Sequence, residues 1–74
     1  MTTSRPGRRR KGRVEHFDEA AGYGTAADDE GGSWFFHCTA IADGSRVIEE
    51  GIEIDYSLVP GHAGRWEAHD LRPR

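Results

Sequence analysis

Gly22-Tyr23-Gly24 and, ten residues further on, Trp34-Phe35-Phe36-His37 set aromatic rings on two neighbouring segments of a short, polar chain. An aromatic side chain on the solvent face of a strand forgoes burial, so a flat ligand such as an unpaired base is its natural cover. Gly22 and Gly24 leave no Cβ on either side of Tyr23, which would let a ligand backbone approach the strand. Alternation along the second segment puts Phe35 and His37 on one face and Trp34 and Phe36 on the other. With Phe35 and His37 outward, Tyr23 lies within cross-strand reach of both. Periodicity alone leaves the swapped assignment open, with Phe35 buried and Trp34 exposed.

Outward from these segments, runs of β-branched and aromatic residues alternate with turn clusters at about ten-residue intervals, the spacing of an all-β barrel or sandwich. Five strands are predicted: Arg13 to Asp18, Tyr23 to Ala27, Ser33 to Cys38, Ile52 to Val59 and Arg65 to Arg72. Turns fall at Glu19 to Gly22, Asp28 to Gly32 and Pro60 to Gly64. In the fourth strand Ile52, Ile54, Tyr56 and Leu58 alternate with Glu53, Asp55 and Ser57, the pattern of one buried and one wet face. Thr39 to Gly51 has room for one helical turn at most, with Ile41 and Ile48 as its anchors to the core. Trp66 either extends the aromatic face or caps the barrel bottom. The cap is expected, since a tryptophan contributes most where little else fills a small core.

A chain of 74 residues with 35% hydrophobic residues and a net charge of −3 suits one small globular domain of modest stability. No uninterrupted apolar run exceeds the three residues of Trp34-Phe35-Phe36, far short of the roughly 20 residues that cross a bilayer. No membrane association and cytoplasmic residence are expected. Cys38 is the sole cysteine, which excludes an internal disulfide and fits a reducing compartment. Charge is divided along the chain. Residues 1–13 hold six basic side chains and no acid, whereas the remainder holds four basic and thirteen acidic ones. Met1 to Gly12 has almost nothing to bury, so residues 1–11 are expected to form a disordered basic arm and residues 12–74 the folded domain. Such an arm neutralises phosphates without sequence preference, while an acidic body repels them. A merely solvated tail is the plain alternative.

Other chemistries find little support. His37 and Cys38 are neighbours on a strand and point to opposite faces, and no paired-ligand spacing recurs, so neither a metal nor a cofactor is expected. A barrel this small fills its interior with side chains, leaving no pocket in which Cys38 could act as a nucleophile, and no enzymatic activity is expected. Gly22-Tyr23-Gly24 lacks the third glycine and the helix of a dinucleotide-binding turn.

Taken in order, Gly12-Arg13-Val14, Phe17-Asp18, Gly22-Tyr23-Gly24, Phe35-Phe36-His37, Ala40-Ile41, Glu49-Glu50-Gly51 and a final glycine-bearing turn resemble the cold-shock domain of bacterial cold-shock proteins. The resemblance runs from about Gly12 to Leu71. An RNA-recognition motif shows its two aromatic motifs in the reverse order and adds two amphipathic helices. The resemblance implies a five-stranded antiparallel Greek-key barrel of the OB type that binds single-stranded RNA or DNA with little choice beyond pyrimidines. It implies that Tyr23, Phe35 and His37 stack bases, with His16 and Phe17 beside them. Arg8, Arg9, Arg10, Lys11 and Arg13 are the candidate phosphate contacts.

Several positions depart from the family pattern. His16, Thr25, Cys38 and Ser45 stand where the family commonly has aromatic residues, Glu15 where a basic residue is usual, and Ala21 where lysine is usual. Asp28-Asp29-Glu30 lines the next turn. Each stacked base is worth roughly 1 to 3 kcal/mol, so the loss of two or three rings predicts weak binding. The expected function is weak, unselective binding of single strands, RNA more than DNA, by a monomer acting as an RNA chaperone or a regulator of transcription or translation. Two rivals stay open: a protein-interaction module on a degenerate cold-shock fold, and homodimerisation through the exposed rings.

Overall fold

The computed structural model describes residues 9–61 and 64–74. Five strands, β1 (Arg9–Asp18), β2 (Tyr23–Asp28), β3 (Ser33–His37), β4 (Glu53–Pro60) and β5 (Trp66–Pro73), close into a barrel in the order β1-β2-β3-β5-β4. A 3-10 turn, Cys38–Ala40, opens the long connection from β3 to β4. β1, β2 and β3 form an antiparallel meander, β4 crosses to the free edge of β1, and β5 returns between β4 and β3. This is the all-β barrel expected from the sequence. One junction is not antiparallel: β3 meets β5 in parallel at Phe35↔Glu67, followed by the bridge Ile41↔Leu71. A ring with an odd number of strands cannot alternate direction all the way round, so five strands require at least one such junction.

Strand alternation builds the interior. Val14, Ala26, Phe36, Ile54, Tyr56, Ala68 and Leu71 face inward, and Ala40 and Ile41 join them from the connection after β3. In β4, Ile54 and Tyr56 are fully buried and Leu58 packs partly against the cluster, as does Ile52 just ahead of the strand. Burying each large side chain contributes roughly 1.5 to 3 kcal/mol, so a core this small leaves a modest margin over chain entropy. β1 and β2 run so close that a Cβ on Gly12 would collide with the Ala27 carbonyl oxygen, and one on Gly24 with the His16 carbonyl oxygen. A β-bulge between Val14 and His16 marks the same contact.

β1 starts at Arg9, four residues before the predicted start at Arg13. Arg9, Arg10 and Lys11 therefore belong to a paired strand and not to a disordered arm, opposite Ser57, Tyr56 and Asp55 of β4. The Arg9 guanidinium supplies the physical reason. It donates to Asp55, to Asp70 Oδ2 at 2.8 Å and to the Asp55 carbonyl oxygen at 3.0 Å, carboxylates that lie 46 and 61 positions away in sequence. Arg8 and the rest of residues 1–8 lie outside the described residues, as do His62 and Ala63. Among the described residues no helix is long and apolar enough to cross a membrane.

Trp66 does not cap the core. It opens β5 opposite Pro60 with 52% of its surface exposed. Trp34 packs against the core instead, its indole donating to Asp28 Oδ2 at 2.9 Å beneath the Arg10 guanidinium, which lies 5.9 Å from the ring centre.

Candidate nucleic-acid interface

Register decides which rings meet. Tyr23 of β2 pairs with His37 of β3, and Thr25 pairs with Phe35, so these four side chains leave the barrel on one side. Phe36, between them, is fully buried. The Tyr23 and Phe35 ring centres lie 5.4 Å apart at 37°, and Phe35 meets His37 edge-on at 4.8 Å and 88°. Tyr23 is 45% exposed and His37 is open to water, while Phe35 is half-buried between its two neighbours. Three rings thus form one continuous patch across two strands. The swapped assignment, with Phe35 inside, is not what the barrel adopts, because Phe36 has the inward position and Trp34 is drawn in by Asp28.

The glycines around Tyr23 have structural reasons that differ from ligand approach. Gly22 takes φ +80° in the turn into β2, where its amide donates to the Asp18 carbonyl at 2.8 Å and its carbonyl accepts from Cys38 N at 2.8 Å. Gly24 is the contact point with β1 already described, and its Cα face is covered by that strand.

Phe17 departs from the expected set. It pairs with Gly24, on the inward parity, and its ring stacks parallel to Phe36 with centres 5.9 Å apart. Packed against the core through Phe36, this ring supports the platform from behind instead of joining it. His16 faces outward opposite Thr25, and its Nδ1 lies 3.3 Å from Glu50 Oε2, the same oxygen that accepts from Phe17 N at 2.9 Å. Glu50 thereby ties the β3–β4 connection to the bulged segment of β1.

The basic residues divide into three groups. Arg9 is committed to Asp55 and Asp70, and Arg10 to Trp34 and, at 3.7 Å, to Asp28. Lys11 and Arg13 are exposed and form an ion pair with no described residue. Arg8 lies outside the described residues. Two of the five candidate phosphate contacts are therefore engaged within the barrel itself.

Two carboxylates shape the surroundings. Asp28 turns inward, with its side chain only 7% exposed. It accepts from Glu30 N and Gly32 N, each at 2.8 Å, as well as from Trp34, and these donors hold its carboxyl below the usual aspartate range, the indole bond first. Glu15 stands on the outer face and accepts from Ser33 Oγ at 2.7 Å and Thr25 Oγ1 at 3.1 Å, which lowers its pKa in that order of effect. From sequence, Glu15 registers only as a charge where a basic residue is usual, and neither Ser33 nor Glu50 stands out. Period-2 alternation does place Ser33 on the Phe35 face, which is the one signal available for it. Among the described residues no three histidine, cysteine or acidic side chains come together to hold a metal.

A closed five-stranded barrel carrying exposed rings on its second and third strands defines an OB-type barrel. Residues 10–73 match the family model of the 'Cold-shock' DNA-binding domain. A cold shock-like protein from Thermotoga maritima is 37% identical over 60 residues, spanning 80% of this chain and 91% of the relative. Cold shock protein CspB of Bacillus caldolyticus is 36% identical over 63 residues, 84% of this chain and 96% of its own. Cold shock protein CspD of Bacillus subtilis is 37% identical over 54 residues, 72% and 82% of the two chains. The chain belongs to the cold-shock domain family.

Proposed function

We propose that this protein binds single-stranded nucleic acid by stacking successive bases on Tyr23, Phe35 and His37. Nucleic-acid binding in the general sense accompanies a family described as a DNA-binding domain. The finer reading rests on the contiguous patch of three outward rings, 5.4 and 4.8 Å apart, with Tyr23 and His37 exposed among the described residues. His16 flanks the patch, and Lys11, Arg13 and the basic residues ahead of β1 in sequence supply phosphate contacts. Duplex bases are stacked already, so rings of this kind favour unpaired strands, and occupancy of the open form shifts a hairpin equilibrium by mass action without ATP. Such passive melting is the action of an RNA chaperone, and RNA is the preferred ligand in this reading. Affinity is low, because three rings take the place of a wider aromatic surface and Glu15 and Glu50 border the site.

Titration with oligo-dT and oligo-U, followed through backbone amide shifts, tests the proposal. Shifts should concentrate on β2 and β3. Tyr23→Ala or Phe35→Ala should weaken binding by roughly 1 to 3 kcal/mol while the barrel stays folded. Shifts that leave β2 and β3 undisturbed, or unchanged affinity in both variants, would refute the stacking role. With Arg9 and Arg10 engaged on the barrel, the other four basic residues among 1–13 set a ceiling of roughly 3 on the slope of log affinity against log salt. A module that uses the acidic border to dock a protein would show no such slope with oligonucleotide.

A further inference from the structure

The stacking platform makes no use of the carboxylate that reaches across it. Glu15 leaves β1 at the bulge, and its Oε1 accepts from Thr25 Oγ1 on β2 and from Ser33 Oγ on β3, at 3.1 and 2.7 Å. Thr25 is the cross-strand partner of Phe35, and Ser33 precedes Phe35 by two residues on the same face. Two residues along a strand span roughly 7 Å, about the long dimension of a base, so the carboxylate stands at the edge of a base stacked on Phe35. Both acceptor sites of Oε1 are taken by hydroxyl donors. Oε2 accepts from no described residue and keeps both of its sites. The two hydrogen bonds fix the side chain and keep it ionised at neutral pH.

A fixed group that only accepts will sort bases by the donors they present. Guanine offers N1–H and its 2-amino group side by side, and both can converge on one oxygen. Cytosine and adenine each offer one exocyclic amino group beside a ring acceptor. Thymine and uracil set N3–H between two carbonyl oxygens that repel a carboxylate. Resting on the stacking role proposed above, we infer that Glu15 is a base-specificity residue that turns the subsite on Phe35 toward guanine and away from thymine and uracil. This runs against the pyrimidine taste that the family resemblance implies. The origin of the reversal is local: a carboxylate, and not a cation, occupies this point of β1, and Thr25 and Ser33 are the donors that hold it in place.

Fluorescence anisotropy with three labelled DNA heptamers provides the test: all-thymine, thymine with a central guanine, and thymine with a central inosine, which lacks the 2-amino group. The wild-type chain should prefer the guanine heptamer over all-thymine by about tenfold, with inosine between them. Glu15→Gln keeps a carbonyl for Thr25 and Ser33 but adds a donor, so the guanine preference should fall to about one. Glu30→Gln, on the turn away from the rings, should strengthen all three complexes alike and leave the preference intact. Equal binding of the guanine and thymine heptamers by the wild type overturns the inference and leaves the stacking role standing. A guanine preference that survives in Glu15→Gln overturns it too. Absence of binding to any heptamer overturns both.

Discussion

Asp28→Asn replaces a buried carboxylate by an amide of the same shape, and it tests what sets the face of β3. In the native barrel Asp28 Oδ1 accepts from the amides of Glu30 and Gly32, and Oδ2 accepts from the Trp34 indole. An asparagine in either orientation sets an N–H group against one of these donors. The lost bond is charge-assisted and worth roughly 1.5 to 3 kcal/mol. The Arg10 contact at 3.7 Å adds little, because that guanidinium is 45% exposed. A destabilisation of about 2 kcal/mol follows, a large share of the roughly 5 kcal/mol that a domain of this size commands. At about 4 to 8 °C per kcal/mol the midpoint should fall by about 8 to 16 °C. Thermal unfolding of a Trp66→Phe background, in which Trp34 is the sole tryptophan, reads both stability and the release of the indole. The carboxyl of Asp28 has a folded pKa below its ordinary value of 3.8, so its contribution is complete above that value and lost as pH falls through the lowered one. The difference between wild type and Asp28→Asn should accordingly be flat from pH 7 to 5 and shrink below about pH 4. A midpoint within 2 °C of wild type at pH 7, or a gap that widens in acid, would refute the anchoring role.

Tyr56→Phe should be neutral or stabilising by up to about 1 kcal/mol in urea unfolding, because the Tyr56 hydroxyl is buried with no hydrogen-bond partner among the described residues. Burial pushes that phenol up to about 12, so it stays neutral across the working range and the effect should not vary between pH 5 and 9. Gly24→Ala drives a methyl into the His16 carbonyl oxygen and should cost several kcal/mol, with the largest amide shifts in β1 near the bulge and at Tyr23. Trp66→Ser should change stability by less than about 0.5 kcal/mol, as expected for a residue half open to water, and a larger loss in thermal unfolding would restore it to the core.

Local periodicity made most of the barrel legible. The alternation in β4 announces Ile54 and Tyr56 as interior positions, and the spacing of turns separates the five strands to within a few residues. Parity along Trp34-Phe35-Phe36-His37 is visible too, yet its direction is not, since either face could be buried. What breaks the tie is Asp28, whose hydrogen bonds draw Trp34 inward. An acidic turn reads from sequence as a repelling rim, and only the fold shows that its first member points in. The start of β1 is hidden for a similar reason. Arg9-Arg10-Lys11 has the composition of a solvated arm, and its partners, Asp55 and Asp70, come from strands far along the chain. Phe17 and Trp66 are the least legible aromatics, because their placement depends on partners distant in sequence, Phe36 for the one and Pro60 for the other.

Closure between β3 and β5 rests on the pair Phe35↔Glu67 and the bridge Ile41↔Leu71, whereas every other junction is a longer antiparallel ladder. That seam is where the barrel should breathe first, so hydrogen exchange at Phe35 and Glu67 should outpace exchange at Val14 or Ile54. Because one lip of the seam carries the central stacking ring, a strand lying across Phe35 would also act as a latch, and slower exchange on both lips would be its signature.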